Sequence, residues 1–209
     1  MELRLPLEPG VFELRSSALI VSSARGVLMV TSASTDYYYS VGGAVEFGES
    51  SIDAMRRETR EETGLEVVNP RLVGMVESFF CDNALGARPW HNIEFYYRVD
   101  LADPEAEPVA AGVGFLGNEE RLAWVPLAEV PGMVAAHKLF PLAMMDLLNA
   151  KRPLHIVSRE PTFDEARRVE GSTGRRAAPE ALRGNGSMTI KTLAAASGGG
   201  SSHHGPGRA

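Results

Sequence analysis

The stretch GGAVEFGESSIDAMRRETREETGLEV, residues 42–67, changes its periodicity part-way along. Gly42 and Gly43 interrupt an apolar, strand-like run, which suits a bulge or a place where backbone must approach something closely. Beyond Gly48 the repeat becomes about 3.6: Ile52, Met55 and Thr59 fall on one side of a helix, Ser50 or Ser51 caps its first turn, and Asp53 stands near the positive end of its dipole. Gly64 stops the helix by taking the left-handed conformation of a C-cap, and Leu65 supplies the apolar contact that accompanies such caps. On this helix Glu58, Glu61 and Glu62 span an arc of about 100° beside the apolar stripe, at the edge where helix meets core. Glu58 and Glu62 are four residues apart, and like charges at that spacing oppose a helix by roughly 0.2–0.5 kcal/mol even when exposed.

Two arrangements offset that repulsion. One is a solvated face with salt bridges from Arg56, Arg57 and Arg60. The other is a cradle for Mg2+ or Mn2+, hard cations that choose carboxylate oxygens and keep positions for water and substrate phosphate. Arg57 serves both, because it can pair with Glu61 at i+4 and with Glu49 across the preceding loop, holding carboxylates in fixed orientation.

Outward from this stretch, ELRSSALIVSS, GVLMVTS and YYYSV read as strands of a hairpin or meander. RLVGMVESFF and NIEFYYRVDL read as two more, the second alternating so that Ile93, Phe95, Tyr97 and Val99 face a core while Asn92, Glu94 and Tyr96 face away from it. A loop rich in Pro, Gly and acid leads to RLAWVPL, another strand, and AHKLFPLAMMDLLNA reads as a helix kinked or restarted at Pro141. PLHIVSR reads as an edge strand. Past it the chain is Gly, Ser, Ala and Arg with few large apolar side chains, too little to offset its ordering entropy, so residues 159–209 are expected to form a low-complexity, disordered basic tail, its His203-His204 pair included.

At 209 residues with 44% hydrophobic and 23% charged content, the chain is expected to hold one soluble domain, residues 1–158, with the tail attached. It has neither an apolar run of membrane-spanning length nor a secretory leader at its start, so the expected compartment is the cytoplasm and no membrane partner is expected. The lone Cys81 makes no internal disulfide and reads as a small buried hydrophobe. Of 27 acids, 22 lie in residues 1–150 against 11 Lys and Arg, which disfavours general nucleic-acid binding by the domain.

The spacing Gly43, five residues, Glu49, seven residues, RETREETGL resembles the signature of the Nudix hydrolases. Gly43, Glu49, Arg57, Glu58, Glu61, Glu62 and Gly64 fill its specified positions, and Thr59 stands where an aliphatic residue is usual, its methyl able to face the core. The likeness extends more weakly over residues 12–150. It implies an α/β/α sandwich with a mixed sheet, and metal-dependent hydrolysis of a pyrophosphate bond in a nucleoside diphosphate linked to another moiety. By motif matching Glu58, Glu61, Glu62 and the backbone of Gly43 bind Mg2+ or Mn2+, Arg57 and Glu49 orient and brace, and one glutamate takes the proton from the attacking water. That general base is one of the three helix glutamates or a loop acid, Glu119 or Glu120. An alternative is a regulatory module that binds a nucleotide metabolite without hydrolysing it. Homodimers are frequent in the family.

Other candidates lie outside the signature. Tyr39, beside Tyr37 and Tyr38, sits at the expected substrate mouth, and Glu94 with Tyr96 is expected to line the pocket. Glu77 and His91 read either as polar strand positions or as ligands to metal or phosphate. Phe79, Phe80, Trp90 and Trp124 read either as core or as stacking partners for a base.

Overall fold

Strand pairing in this computed structural model puts the signature helix across the face of a single sheet. The structure describes residues 1–8, 10–32, 36–82, 88–109, 119–163 and 187–192. In chain order its elements are β1 (Arg4–Pro6), β2 (Val11–Ser22), β3 (Gly26–Ser32), β4 (Tyr39–Ala44), α1 (Ser51–Thr63), β5 (Val67–Asp82), β6 (Arg88–Leu101), β7 (Glu120–Val125), α2 (Val130–Ala135), α3 (Met144–Asn149), β8 (Leu154–Arg159) and β9 (Ser187–Thr192). The strands run in the order β7-β3-β4-β2-β6-β5-β8-β9, with β1 added to β2. β2 lies parallel to β6 from Val11↔Trp90 to Ile20↔Val99, and β5 lies parallel to β8. The remaining pairings are antiparallel, which makes the sheet mixed.

A parallel pair needs a crossover. The one from β2 to β6 carries β3, β4, α1 and β5, and this lays α1 on one face of the sheet. There Met55 packs with Ala18, Ile20, Val41, Tyr97 and Val99. On the opposite face α2 and α3 bring Val130, Met144 and Leu147 onto Met29, Val76 and Ile156. The layers are thus helix, sheet and helix, as expected.

Four details depart from the sequence reading. Both faces of β6 are covered, so Tyr96 and Asn92, read as facing away from the core, are only 2% and 8% exposed. The helix expected across AHKLFPLAMMDLLNA is confined to Met144–Asn149, beyond Pro141, which has no N–H to donate. β8 is no edge strand, since β9 pairs along all of it from Leu154↔Thr192 to Arg159↔Ser187. β9 itself, Ser187–Thr192, falls within the stretch expected to form the tail. Residues 164–186 and 193–209 of the expected tail, including His203 and His204, lie outside the described residues. Among those described, no helix is long and apolar enough to cross a membrane.

Met144 and Leu147 are the fully buried side chains of α3. Leu147 is fully buried, and its Cδ2 occupies the space a Cβ would take at Gly74 on β5. Leu147→Ala leaves a cavity there and should cost about 2–5 kcal/mol of stability, read from urea unfolding. A loss below about 1 kcal/mol would show that α3 does not anchor the sheet.

Candidate active site where α1 meets Gly42 and Gly43

α1 begins and ends as its sequence dictates. The Ser50 Oγ accepts from the Asp53 N–H at 3.2 Å, and Gly64, at φ 68°, donates its N–H to the Arg60 carbonyl at 2.8 Å. Thr59 is fully buried, and its hydroxyl donates to the Met55 carbonyl one turn back at 2.7 Å. A threonine therefore fits where an aliphatic residue is usual: its polar atom is satisfied within the helix.

Arg57 binds the loop before α1 to the helix. Nε and Nη2 donate to the two oxygens of Glu49 at 3.0 and 2.9 Å, a bidentate pair. Nη2 also donates to the Ala44 carbonyl at 3.0 Å, while Nη1 donates to Glu58 at 2.7 Å and to Glu61 at 3.2 Å. Glu49 in turn accepts from the Glu46 N–H at 3.0 Å, closing the turn between β4 and α1. The Arg57 hydrogen bonds hold the Glu49 carboxyl below the usual carboxylate range.

Two helix carboxylates meet the backbone of Gly42 and Gly43. The Glu62 Oε2 accepts from the Gly42 N–H at 2.9 Å, and a Cβ at Gly43 would overlap the Glu58 carboxylate. Gly42 itself sits at φ 145°, where a Cβ would also strike Ser16 and Ser17 of β2. The glycine pair thus lets two acids and two strands approach within backbone distance. Burial pushes the Glu62 carboxyl up to about 8, with the charges of Glu120 and Glu58 adding to it and the Gly42 N–H and Arg15 opposing. Burial also raises Glu58, against the pull of Arg57 and Arg15. Glu61 lies at the solvent rim of the site, its side chain 60% exposed and held by Arg57 at 3.2 Å.

The structure sorts the remaining candidates. Of the two loop acids, Glu120 faces the site, where its charge acts on Glu62 and its Oε1 accepts from the Tyr39 hydroxyl at 2.6 Å. Glu119 is exposed. Burial, and then the bond to Glu120, hold the Tyr39 hydroxyl in its protonated form. Glu94 accepts from Ser17 at 2.5 Å and from the Tyr96 hydroxyl at 2.8 Å, so the buried Tyr96 reaches the site through Glu94 and does not itself line it. Glu77 turns to His155, 3.6 Å away. His91 lies stacked on Phe79 at 4.2 Å between ring centroids with Phe12 edge-on, and burial lowers its pKa. Trp90 is buried near Phe80, and Trp124 lies under Arg25. These aromatic rings are engaged within the protein.

One site residue escaped the sequence reading. Arg15 donates from Nη2 to the Gly42 carbonyl at 3.1 Å and lies beside Glu13 and Glu94. A signal existed: in ELRSS the alternation places Glu13, Arg15 and Ser17 on one face, a polar row inside an otherwise apolar strand.

A family model described as the NUDIX domain matches residues 13–146, well over half of the chain. The chain belongs to the Nudix family. It is 41% identical over 61 residues to the uncharacterized Nudix hydrolase YvcI of Bacillus subtilis strain 168, a match that spans 29% of this chain and only 39% of that relative. The crystal structure of the mutator MutT protein of Bacillus halodurans superposes with a TM-score of 0.52 at 23% identity, covering 72% of this chain and 92% of that one. That likeness is one of fold.

A divalent ion, which the family generally uses, suits the donors of this Nudix domain. Glu58, Glu61 and Glu62 offer only hard oxygen atoms, and burial first, then the neighbouring Glu120 and Glu58, disfavour the ionised Glu62 carboxylate, which a cation beside it would favour. No three His, Cys, Asp or Glu side chains among the described residues are gathered closely enough to enclose an ion.

A pH dependence follows. Glu62 ionises near 4.5 in the unfolded chain and near 8 in the folded one, so its folded pKa is raised. A raised carboxyl destabilises the fold progressively as pH climbs from about 4.5 through about 8, and the cost is constant above that. Mg2+ requires the ionised form and competes with the proton below the folded pKa. Thermal unfolding should therefore show a larger Mg2+-induced rise in Tm at about pH 9 than at about pH 6. An increment that is equal at both, or larger at the lower pH, would contradict this assignment.

Proposed function

We propose that this Nudix domain hydrolyses a pyrophosphate bond in a nucleoside diphosphate linked to another moiety, using Mg2+ or Mn2+. The observation that carries the reading is the convergence of Glu58 and Glu62 on the Gly42–Gly43 backbone, with Arg57 fixing the loop and helix against each other. Carboxylates in such a place would repel an anionic substrate unless cations came between them.

Glu58, Glu61 and Glu62 would hold the ion, and Gly43 allows the backbone and Glu58 to come together where it binds. When bound, the ion neutralises the diphosphate and acidifies a water. Arg57 and Glu49 keep the helix carboxylates from turning away. Glu120 takes the proton from the attacking water, its free oxygen directed by the hydrogen bond that Tyr39 makes to the other. Glu94 stands beside the Gly42 corner and shapes the substrate side through Arg15. Such phosphoryl chemistry needs positioning and charge neutralisation more than a covalent nucleophile.

The test is a panel of nucleoside diphosphate derivatives assayed with Mg2+ and Mn2+ for release of a nucleoside monophosphate or phosphate. Glu58→Gln and Glu62→Gln should each lower kcat/KM by about 100-fold, and a chelator should abolish turnover. Glu120→Gln should lower kcat by about 100-fold or more. Glu119→Gln should leave it unchanged. Turnover that persists through chelation, or that survives both helix substitutions, would overturn the reading.

A further inference from the structure

Two arginines reach the Gly42–Gly43 corner, and their hydrogen bonds set them apart. A guanidinium carries five N–H donors. Arg57 makes five donor bonds, to Glu49 twice, Ala44, Glu58 and Glu61, and has none left for a ligand. Arg15 makes one well-formed bond, from Nη2 to the Gly42 carbonyl at 3.1 Å. Its Nε and Nη1 approach Glu94 and Glu13 only at 3.5 Å, well beyond the 2.7–2.9 Å or so of a good charge-assisted bond.

Those two carboxylates have closer partners. Glu13 accepts from Arg4 at 2.5 Å, and Glu94 accepts from Ser17 at 2.5 Å and from Tyr96 at 2.8 Å. Both Glu94 oxygens are thus satisfied without Arg15, and one Glu13 oxygen is held by Arg4. The guanidinium is nonetheless held in the protein, its side chain only 21% exposed, with its charge acting on both Glu58 and Glu62. A largely buried cation with under-used donors, beside the acids that gather divalent ions, is matched by an incoming anion with paired oxygens.

We propose that Arg15 binds a non-bridging oxygen of the substrate diphosphate, with the Gly42 carbonyl and Glu94 aiming its guanidinium. The assignment rests on the pyrophosphohydrolase reading above. It places the diphosphate between the α1 carboxylates with their cations on one side and β2 on the other, and makes Arg15 the protein's own positive contact to the phosphates.

The experiment uses methylenediphosphonate with Mg2+ as a non-hydrolysable probe, its Kd measured by calorimetry, alongside KM and kcat for a compound the wild type cleaves. Arg15→Met should raise both Kd and KM by about 10-fold or more, and Arg15→Lys should recover part of the loss because it keeps the charge without the fork. A purely structural role would lower Tm while leaving Kd and KM unchanged, and that outcome overturns the assignment. If the wild type neither binds the probe nor cleaves any nucleoside diphosphate compound, the reading of the site itself falls and takes this one with it. If it does both and Arg15→Met matches it, only Arg15 is wrongly placed. Should neither variant fold, phenylglyoxal labelling of the wild type decides: methylenediphosphonate should protect Arg15, and labelling unaffected by the probe overturns the proposal.

Discussion

The site depends on one guanidinium. Arg57 ties together three pieces of chain that would otherwise move independently: the end of β4 through the Ala44 carbonyl, the turn through Glu49, and α1 through Glu58 and Glu61. Its five N–H groups are matched one to one with acceptors at fixed angles, which a lysine's compact ammonium could not do. The like charges of Glu58 and Glu61 are held against the helix by this one cation. Glu62, which Arg57 does not reach, is instead fixed by the Gly42 N–H.

The charges are arranged to leave a deficit in one place. Glu49 is fully compensated by Arg57, and Glu13 by Arg4 with Arg15 nearby. At Glu62 burial weighs most against the ionised form, the Gly42 N–H opposes it, and the acids Glu120 and Glu58 add to the burial. A protein selected for stability alone gains nothing from such a deficit. A protein that must take up a cation from solvent gains affinity from it.

Much of this was legible in the sequence because it is local. Ser50, Asp53 and Gly64 fix the ends of α1 by hydrogen bonds within a few residues, and the 3.6-residue spacing of Met55 and Thr59 fixes its buried side. The Arg57 pairings with Glu49 and Glu61 follow from the same helix geometry. What escaped depends on strands far apart in sequence. Arg15 and Gly42 meet because β2 pairs with β4, Glu120 comes to Tyr39 because both flank β3, and Tyr96 is buried because α3 covers a face of β6 that its alternation suggested was open. The pairing of β9 with β8 is of the same kind, for in SMTIKT only Met188 and Ile190 alternate with polar residues, too short a pattern to mark a strand without its neighbour.

The account stands on the α1 carboxylates gripping a divalent ion. The most direct measurement is a Mn2+ titration followed by electron paramagnetic resonance, in which bound Mn2+ disappears from the six-line signal of the free ion, with wild type compared to a Glu58→Gln/Glu62→Gln double variant that retains its fold. The account predicts that the wild type takes up Mn2+ and that the double variant does not. Equal uptake by both proteins would place the ion elsewhere and contradict it.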